Sequence, residues 1–278
     1  MAGCIVLGEN FMFPSFEIFG RTIGMYGVMT VIGAAFCVFV GVFLIKKFNI
    51  MWEDLVLVMI AAAVGILIVS HIVYGLTNIN ALIYIFRNIG SLSFTQFWVM
   101  IAECFGGMVF YGGFIGGALS ILVFCKFDKK LDKNNLLDVY AVLIPLFHFF
   151  GRIGCFLGGC CYGIESEFGF TAHGNTLNPS INDVNRFPIQ LVEAGINLLI
   201  FFFMLRLFKK DVMRDKLIYV YMLIYPAARF ILEFFRGDDY RGFLFGLSTS
   251  QWISIILFVF SVIMLIVKRN KKPTGAAV

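Results

Sequence analysis

One arginine stands where membrane energetics disfavour it. Arg152 lies in the run Gly151-Arg152-Ile153-Gly154, at the end of a long apolar stretch. A guanidinium inside a bilayer costs about 2.5–3.5 kcal/mol on insertion scales, so such a residue is usually retained for an anionic partner. The planar, bidentate fork of arginine suits phosphate, and the commonest anion in a bilayer is a lipid phosphate. The residue type and its position therefore predict recognition of a lipid phosphate.

A second set of polar residues follows one face of a later apolar segment. Tyr221, Tyr225, Arg229, Glu233 and Arg236 are spaced four, four, four and three residues apart, which places them on one side of a helix. Glu233 can pair with either arginine, which lowers the cost of burial and leaves positive charge for a ligand. The alternative is an ion pair that only stabilises the helix bundle. We expect the ligand cradle.

A third segment begins after Pro188 and carries Gln190, Glu193 and Asn197 on one helical face. An ionisable residue inside a membrane segment is a functional candidate by default, and hydrogen bonding between helices is the alternative. His148 lies one turn before Arg152, either as a proton carrier or as a hydrogen-bonding partner of another helix. These polar residues lie within apolar segments, so apolar helices must position them.

Hydrophobic residues make up 60% of the 278-residue chain and charged residues only 14%, whereas soluble domains average about 45–50% and about 25%. We therefore predict an all-α polytopic membrane protein that forms one integral membrane domain over residues 1–278, with a small loop region at its outer face. The stretch 94–105 is also apolar and is interpreted as an interfacial or re-entrant piece. Segments of about 20 apolar residues predict seven transmembrane helices at about 24–45, 55–77, 107–125, 138–157, 188–208, 217–235 and 251–267.

The basic residues predict the orientation of the chain. All twelve lysines fall on one side of the seven-span arrangement, and the positive-inside rule makes that side cytoplasmic. The N-terminus is then outside and the C-terminus inside the cell. The net charge of +5 is explained by these topology-setting clusters and indicates no nucleic-acid partner. The basic residues on the opposite side are all arginines, namely Arg21, Arg87, Arg152, Arg186, Arg229, Arg236 and Arg241.

Together these motifs resemble one family, the bacterial phosphatidylglycerol–prolipoprotein diacylglyceryl transferases. The resemblance covers nearly the whole chain, and the motifs occur in the family's order. They are Met25-Tyr26-Gly27, the glycine-rich run 106–113, Gly151-Arg152-Ile153-Gly154 followed by Gly163, the run 186–193 (Arg-Phe-Pro-Ile-Gln-Leu-Val-Glu), the run 229–236 (Arg-Phe-Ile-Leu-Glu-Phe-Phe-Arg), and Ser250-Gln251.

The resemblance implies a transferase of the bacterial cytoplasmic membrane with several membrane passes and its active site towards the outer face. Such an enzyme moves the diacylglyceryl group of phosphatidylglycerol to the lipobox cysteine of a prolipoprotein signal peptide. A thioether forms and glycerol phosphate is released, as the first step of lipoprotein maturation. Its partners are these two substrates and the lipid bilayer, and no cofactor is expected. A paralogue acting on a different lipid or acceptor is the main alternative.

The resemblance also implies residue roles. Arg152 and Arg229 are expected to hold the phosphate, with Arg236 at the mouth of the pocket and Glu233 orienting the arginines. The remaining substrate-binding candidates are expected to line the headgroup pocket or belong to its signature; they are Tyr26, Gln190, Glu193, Gly154 and Gly163.

The chain departs from the family pattern at the position of the expected histidine. Tyr111 stands there, and a tyrosine with an ordinary pKa near 10 is a poor base at neutral pH. Tyr111 is therefore a catalytic candidate either as a hydrogen-bond donor or as a base whose pKa is lowered by positive charge. The alternatives for a general base are Glu193 and His148.

Cysteines mark a second departure. Cys155 replaces an asparagine of the family signature, and Cys160 and Cys161 follow where asparagine and glutamate are frequent. A thiol redox membrane protein is a less favoured alternative, and so is a structural disulfide from Cys155 or Cys104 to the adjacent pair. No metal site is expected, because no histidine lies at ligand spacing in the outer loop.

Overall fold

A computed structural model describes residues 14–107, 110–128, 131–175, 178–238 and 242–269 of the chain. Its contacts divide the chain into two compact units. The larger unit combines residues 1–44 with 134–278, and the smaller comprises residues 45–133. The prediction of one domain over residues 1–278 stays a prediction, and each unit is described by itself.

Five long helices form the body of the larger unit within the described residues. Glycine allows two of them to approach closely, because a Cβ at Gly154 would lie 3.2 Å from the Cα of Tyr26 and 3.1 Å from the Cβ of Met29. Ser248 caps the last helix through a reciprocal pair of hydrogen bonds with Gln251, a capping box. The helices are α1 (Met25–Ile45), α6 (Lys133–Gly158), α7 (Ile189–Lys209), α8 (Leu217–Leu232) and α9 (Thr249–Val267).

A buried aspartate fixes the start of α8. The carboxylate of Asp138 accepts hydrogen bonds from the backbone N–H groups of Asp215, at 2.6 Å, and of Leu217, at 3.0 Å. The first N–H groups of a helix have no partner within the helix. Asp138, from α6, therefore caps α8 and ties two helices of the body together.

The smaller unit contains α2 (Trp52–Thr77), α3 (Ile79–Arg87), α4 (Phe94–Phe105) and α5 (Phe110–Phe127). Glycines bring α2 and α5 into contact. A Cβ at Gly116 would lie 2.1 Å from the carbonyl oxygen of Gly65, so no larger residue fits there. The apolar piece predicted at 94–105 is helix α4, and α3 is an additional short helix.

Short strands occupy the connections of the larger unit. The hairpin of β1 (Ser15–Ile18) and β2 (Arg21–Gly24) leads into α1, and β3 (Glu165–Thr171) pairs with β4 (Asn185–Arg186) between α6 and α7. A third pair, β5 (Phe243–Leu244) and β6 (Leu247–Ser248), precedes α9. The protein is mostly helical, and the predicted small loop region includes these antiparallel strands.

The part of the chain that the structure describes has six helices long and apolar enough to cross a membrane. They agree with six of the seven predicted spans, which confirms a helical, polytopic membrane protein. The segment predicted at 107–125 corresponds to α5, whose apolar part at Gly112–Phe127 is shorter than these six. The seventh span and the orientation of the chain stay predictions. The six helices cover Met25–Phe48, Trp52–Thr77, Lys133–Gly158, Ile189–Lys209, Leu217–Phe235 and Thr249–Val267.

Candidate functional site

Three helices bring their polar residues to one place. Arg152 lies near the end of α6, Glu193 near the beginning of α7, and Arg229 in the last turn of α8. A carboxylate and two guanidinium groups therefore meet where α6 and α8 end and α7 begins. All three side chains are buried, and Glu193 is only 1% exposed.

Glu193 is the centre of this cluster. Its Oε1 lies 3.0 Å from Nη2 of Arg152, and its Oε2 accepts a hydrogen bond from Nη1 of Arg229 at 2.9 Å. The hydroxyl of Tyr225 donates to Oε1 at 2.9 Å. Charge-assisted hydrogen bonds are roughly twice as strong as neutral ones. One carboxylate thus fixes two arginines from two different helices.

Arg229 has a second acidic partner. Its Nη2 lies 2.5 Å from Oε2 of Glu233, one helical turn further along the chain. Arg236 pairs instead with Asp238, to which it donates from Nε at 2.7 Å and from Nη2. The interpretation that Arg229 and Arg236 share Glu233 and keep spare positive charge is therefore corrected. Within the described residues, each of the three arginines faces a carboxylate.

Aromatic residues enclose the other side of Glu193. Nε2 of His148 lies 3.8 Å from Oε1 of Glu193 and 3.4 Å from the hydroxyl of Tyr225. The ring of Tyr221 stacks on that of Tyr225 with centroids 5.7 Å apart. Arg152 keeps its Nε buried without a hydrogen-bond partner among the described residues. This arginine thus has an unused hydrogen-bond donor among the described residues.

The other predicted substrate-binding residues lie at the edge of the cluster. Gln190 donates from Nε2 to the carbonyl oxygen of Cys160 at 2.9 Å, which links α7 to the loop after α6. Tyr26 begins α1 next to Gly154, and its side chain is 52% exposed. Tyr26 is thus half exposed, whereas the amide of Gln190 is committed to the loop.

The two signature glycines have a packing role. A Cβ at Gly163 would lie 2.3 Å from the carbonyl oxygen of Phe187, and Gly163 forms a β-bridge with Arg236. Gly154 lies against the first turn of α1, where a Cβ would meet the Cα of Tyr26. Both residues therefore position the backbone around the arginines.

Tyr111, the remaining catalytic candidate, belongs to the smaller unit. Its backbone is part of α5, and its side chain lies outside the described residues. Its catalytic role stays a prediction.

Three cysteines converge beside the arginines. The sulfur atoms of Cys155, Cys160 and Cys161 all lie within 4.8 Å of one another, and all three are free thiols. Hydrogen bonds from the other two thiols lower the pKa of Cys161, and the nearby charges of Arg152 and Arg236 lower it further.

Two further residues were not assigned from the sequence. Asp238 holds Arg236, and its signal was the pair of acidic residues that follows this arginine. Tyr225 contacts Glu193 directly, and its spacing of four residues from Arg229 placed it on the correct face without identifying its partner.

The family model described as "Prolipoprotein diacylglyceryl transferase" matches residues 14–267 of the chain. A phosphatidylglycerol–prolipoprotein diacylglyceryl transferase of Clostridium tetani is 30% identical over 262 residues, which cover 92% of this chain and 98% of the relative. One from Campylobacter jejuni is 31% identical over 277 residues, covering 95% and 96%. The phosphatidylglycerol–prolipoprotein diacylglyceryl transferase 2 of Clostridium perfringens is 36% identical over 181 residues, which cover 63% of this chain and 69% of the relative. The chain belongs to the prolipoprotein diacylglyceryl transferase family.

Proposed function

We propose that this chain is a transferase that moves the diacylglyceryl group of phosphatidylglycerol to the lipobox cysteine of prolipoproteins, the first step of lipoprotein maturation. Family membership supports the reaction class. The observation that supports this reaction for the present chain is the contact of Arg152 and Arg229, from two apolar helices, with the buried carboxylate of Glu193. Arginines inside membrane segments cost free energy and are usually retained for function, so this pair indicates an anionic substrate.

The reaction has one bond-forming and one bond-breaking event. The sulfur of the acceptor cysteine attacks the glyceryl carbon that bears the phosphate, and a carbon–sulfur bond forms. The carbon–oxygen bond breaks, and its electron pair stays on the phosphate oxygen. The thiol proton is lost to a base or to solvent, so the products are a thioether and glycerol phosphate.

Arg152 and Arg229 bind the phosphate in this proposal. Preorganised donors aimed at developing charge are worth most in a site that excludes water. Both oxygens of Glu193 already accept from donors, at 2.9–3.0 Å. We therefore assign to Glu193 the positioning of the two arginines, with Glu233 supporting Arg229.

The remaining roles follow from position. Arg236, held by Asp238 next to Gly163, lies at the entrance and attracts the anionic headgroup. The exposed side chain of Tyr26 contacts the headgroup, and Gln190 holds the loop that contains Cys160. Tyr111 acts as a hydrogen-bond donor. Gly154 and Gly163 allow the close packing on which this geometry depends.

We further propose seven spans with the N-terminus outside and the C-terminus in the cytoplasm. This places the active site at the outer face of the bacterial cytoplasmic membrane. The one-sided distribution of the lysines supports it. The twelve residues of α4 then lie at the interface, because a helix of that length is too short to cross the bilayer.

A donor panel tests the proposed reaction. Purified protein is incubated with a lipobox peptide and with phosphatidylglycerol, phosphatidylethanolamine or cardiolipin labelled in the glyceryl group. We expect label on the peptide from phosphatidylglycerol and none on a matched peptide with serine in place of the lipobox cysteine. Faster transfer from another lipid would show that this lipid, and not phosphatidylglycerol, is the donor. No transfer from any lipid would reject the proposal.

A further inference from the structure

The end of α6 and the loop that follows it carry three thiols to which the proposed transfer reaction assigns no role. The sulfur atoms of Cys155, Cys160 and Cys161 lie within 4.8 Å of one another. Cys155 is buried, whereas Cys160 and Cys161 are partly exposed.

The backbone holds this arrangement in place. The N–H of Cys160 donates to the carbonyl oxygen of Cys155 at 3.1 Å, which folds the chain back at the end of α6. Gly159 and Cys161 adopt left-handed φ angles of +73° and +56°, a conformation uncommon for a residue other than glycine. The side chain of Asn178 donates to the carbonyl oxygen of Gly159 at 3.0 Å and fixes the turn. The thiols are therefore brought together by a defined loop.

The spacing of the sulfurs suits a metal ion. A Zn–S bond of about 2.3 Å places two sulfurs of a tetrahedral site about 3.8 Å apart. The three sulfur–sulfur separations of at most 4.8 Å are close to this value. Thiolate ligands favour soft ions such as Zn²⁺ and Cu⁺.

We propose that Cys155, Cys160 and Cys161 bind one soft, thiophilic cation of the zinc class, and that its open fourth position takes the thiol of the acceptor peptide. The second half rests on the proposed transferase function. Three protein ligands with an open position are typical of catalytic zinc sites.

Metal binding would explain how the acceptor thiol loses its proton, for which Tyr111 is a poor base. A thiol that coordinates such an ion loses its proton outright, and that proton passes to solvent. The metal-bound sulfur then attacks the glyceryl carbon, the carbon–oxygen bond breaks, and its electron pair leaves with the phosphate. The thioether product dissociates from the ion.

Cobalt(II) binding to the full chain tests the site without relying on activity. The purified, reduced protein is titrated with Co²⁺, whose visible and ultraviolet bands report tetrahedral thiolate ligation. We expect one ion per chain, with affinity at least 100-fold lower in Cys160→Ser and in Cys161→Ser. Cys37→Ser is the matched control, because Cys37 is buried in α1 and donates to the carbonyl oxygen of Leu143. Equal Co²⁺ binding by wild type and by the variant lacking all three cluster thiols would overturn the site.

A lipobox peptide then tests the role of the open position. We expect the cysteine peptide to change the Co²⁺ spectrum and the serine peptide to leave it unchanged. An unchanged spectrum with the cysteine peptide, or full transfer after complete removal of metal, would overturn the role while the site stands. Metal binding with a peptide-dependent spectrum but no transfer from any lipid would count against the transferase proposal and not against the site.

Discussion

Replacing Arg152 by lysine separates the charge of this residue from its geometry. Arg152 contacts Glu193 through Nη2 at 3.0 Å and keeps a buried Nε without a partner among the described residues. Lysine supplies one nitrogen for both contacts, so one charge-assisted hydrogen bond to the phosphate is lost. Such a bond contributes about 1.5–3 kcal/mol, which corresponds to a transfer rate about 10- to 150-fold lower. Arg152→Ala removes the charge as well, and we expect a loss of at least about 100-fold.

Initial rates of transfer at saturating phosphatidylglycerol measure this effect. The loss should appear in kcat more than in KM, because the charge on the phosphate develops as the carbon–oxygen bond breaks. Arg206→Lys is the matched control, since Arg206 lies in the last turn of α7, at the opposite end of that helix from Glu193. Thermal unfolding confirms that each variant is folded. A wild-type rate in Arg152→Ala, or a lower rate in the lysine variant than in the alanine variant, would refute the reasoning.

Three further predictions concern stability and are read from unfolding of the purified protein. Glu193→Gln leaves two buried arginines without their shared charge and should cost about 3–5 kcal/mol; a stability unchanged within error would show that the cluster is not held by this carboxylate. Gly159→Ala should cost about 1–3 kcal/mol, because the residue has a φ of +73° and its Cβ would lie 2.3 Å from Nδ2 of Asn175. Gly158→Ala, with open space around the Cβ, should be neutral or slightly stabilising, and equal effects of both changes would contradict the account. Asp138→Ala leaves two N–H groups at the start of α8 unpaired and should cost at least about 2 kcal/mol; a smaller loss would mean that water replaces the cap.

The location of the arginine cluster could be predicted from the sequence because it depends on local periodicity. Spacings of three and four residues place Arg229 on the polar face of α8 and Glu193 on that of α7. The apolar segments fix the helices, and helices that alternate in direction bring the end of α6 to the beginning of α7. The six long apolar helices could be predicted from the length of the apolar segments.

The pairing within the cluster could not be predicted in this way. Whether Glu233 pairs with Arg229 or Arg236 depends on the turn that follows α8, where Asp238 folds back onto Arg236. The convergence of Cys155 and Cys161 depends on two left-handed residues, one of which is not a glycine. Periodicity carries no information about such a loop.

The proposed reaction joins a diacylglyceryl group to the sulfur of a lipobox cysteine. It is measured by the intact mass of the acceptor peptide after incubation with phosphatidylglycerol, together with the amount of glycerol phosphate released. We expect a mass gain of one diacylglyceryl group on the cysteine sulfur, resistant to thioester cleavage, with one glycerol phosphate released per modified peptide. An unmodified peptide, or a mass gain of a single acyl chain, would contradict it.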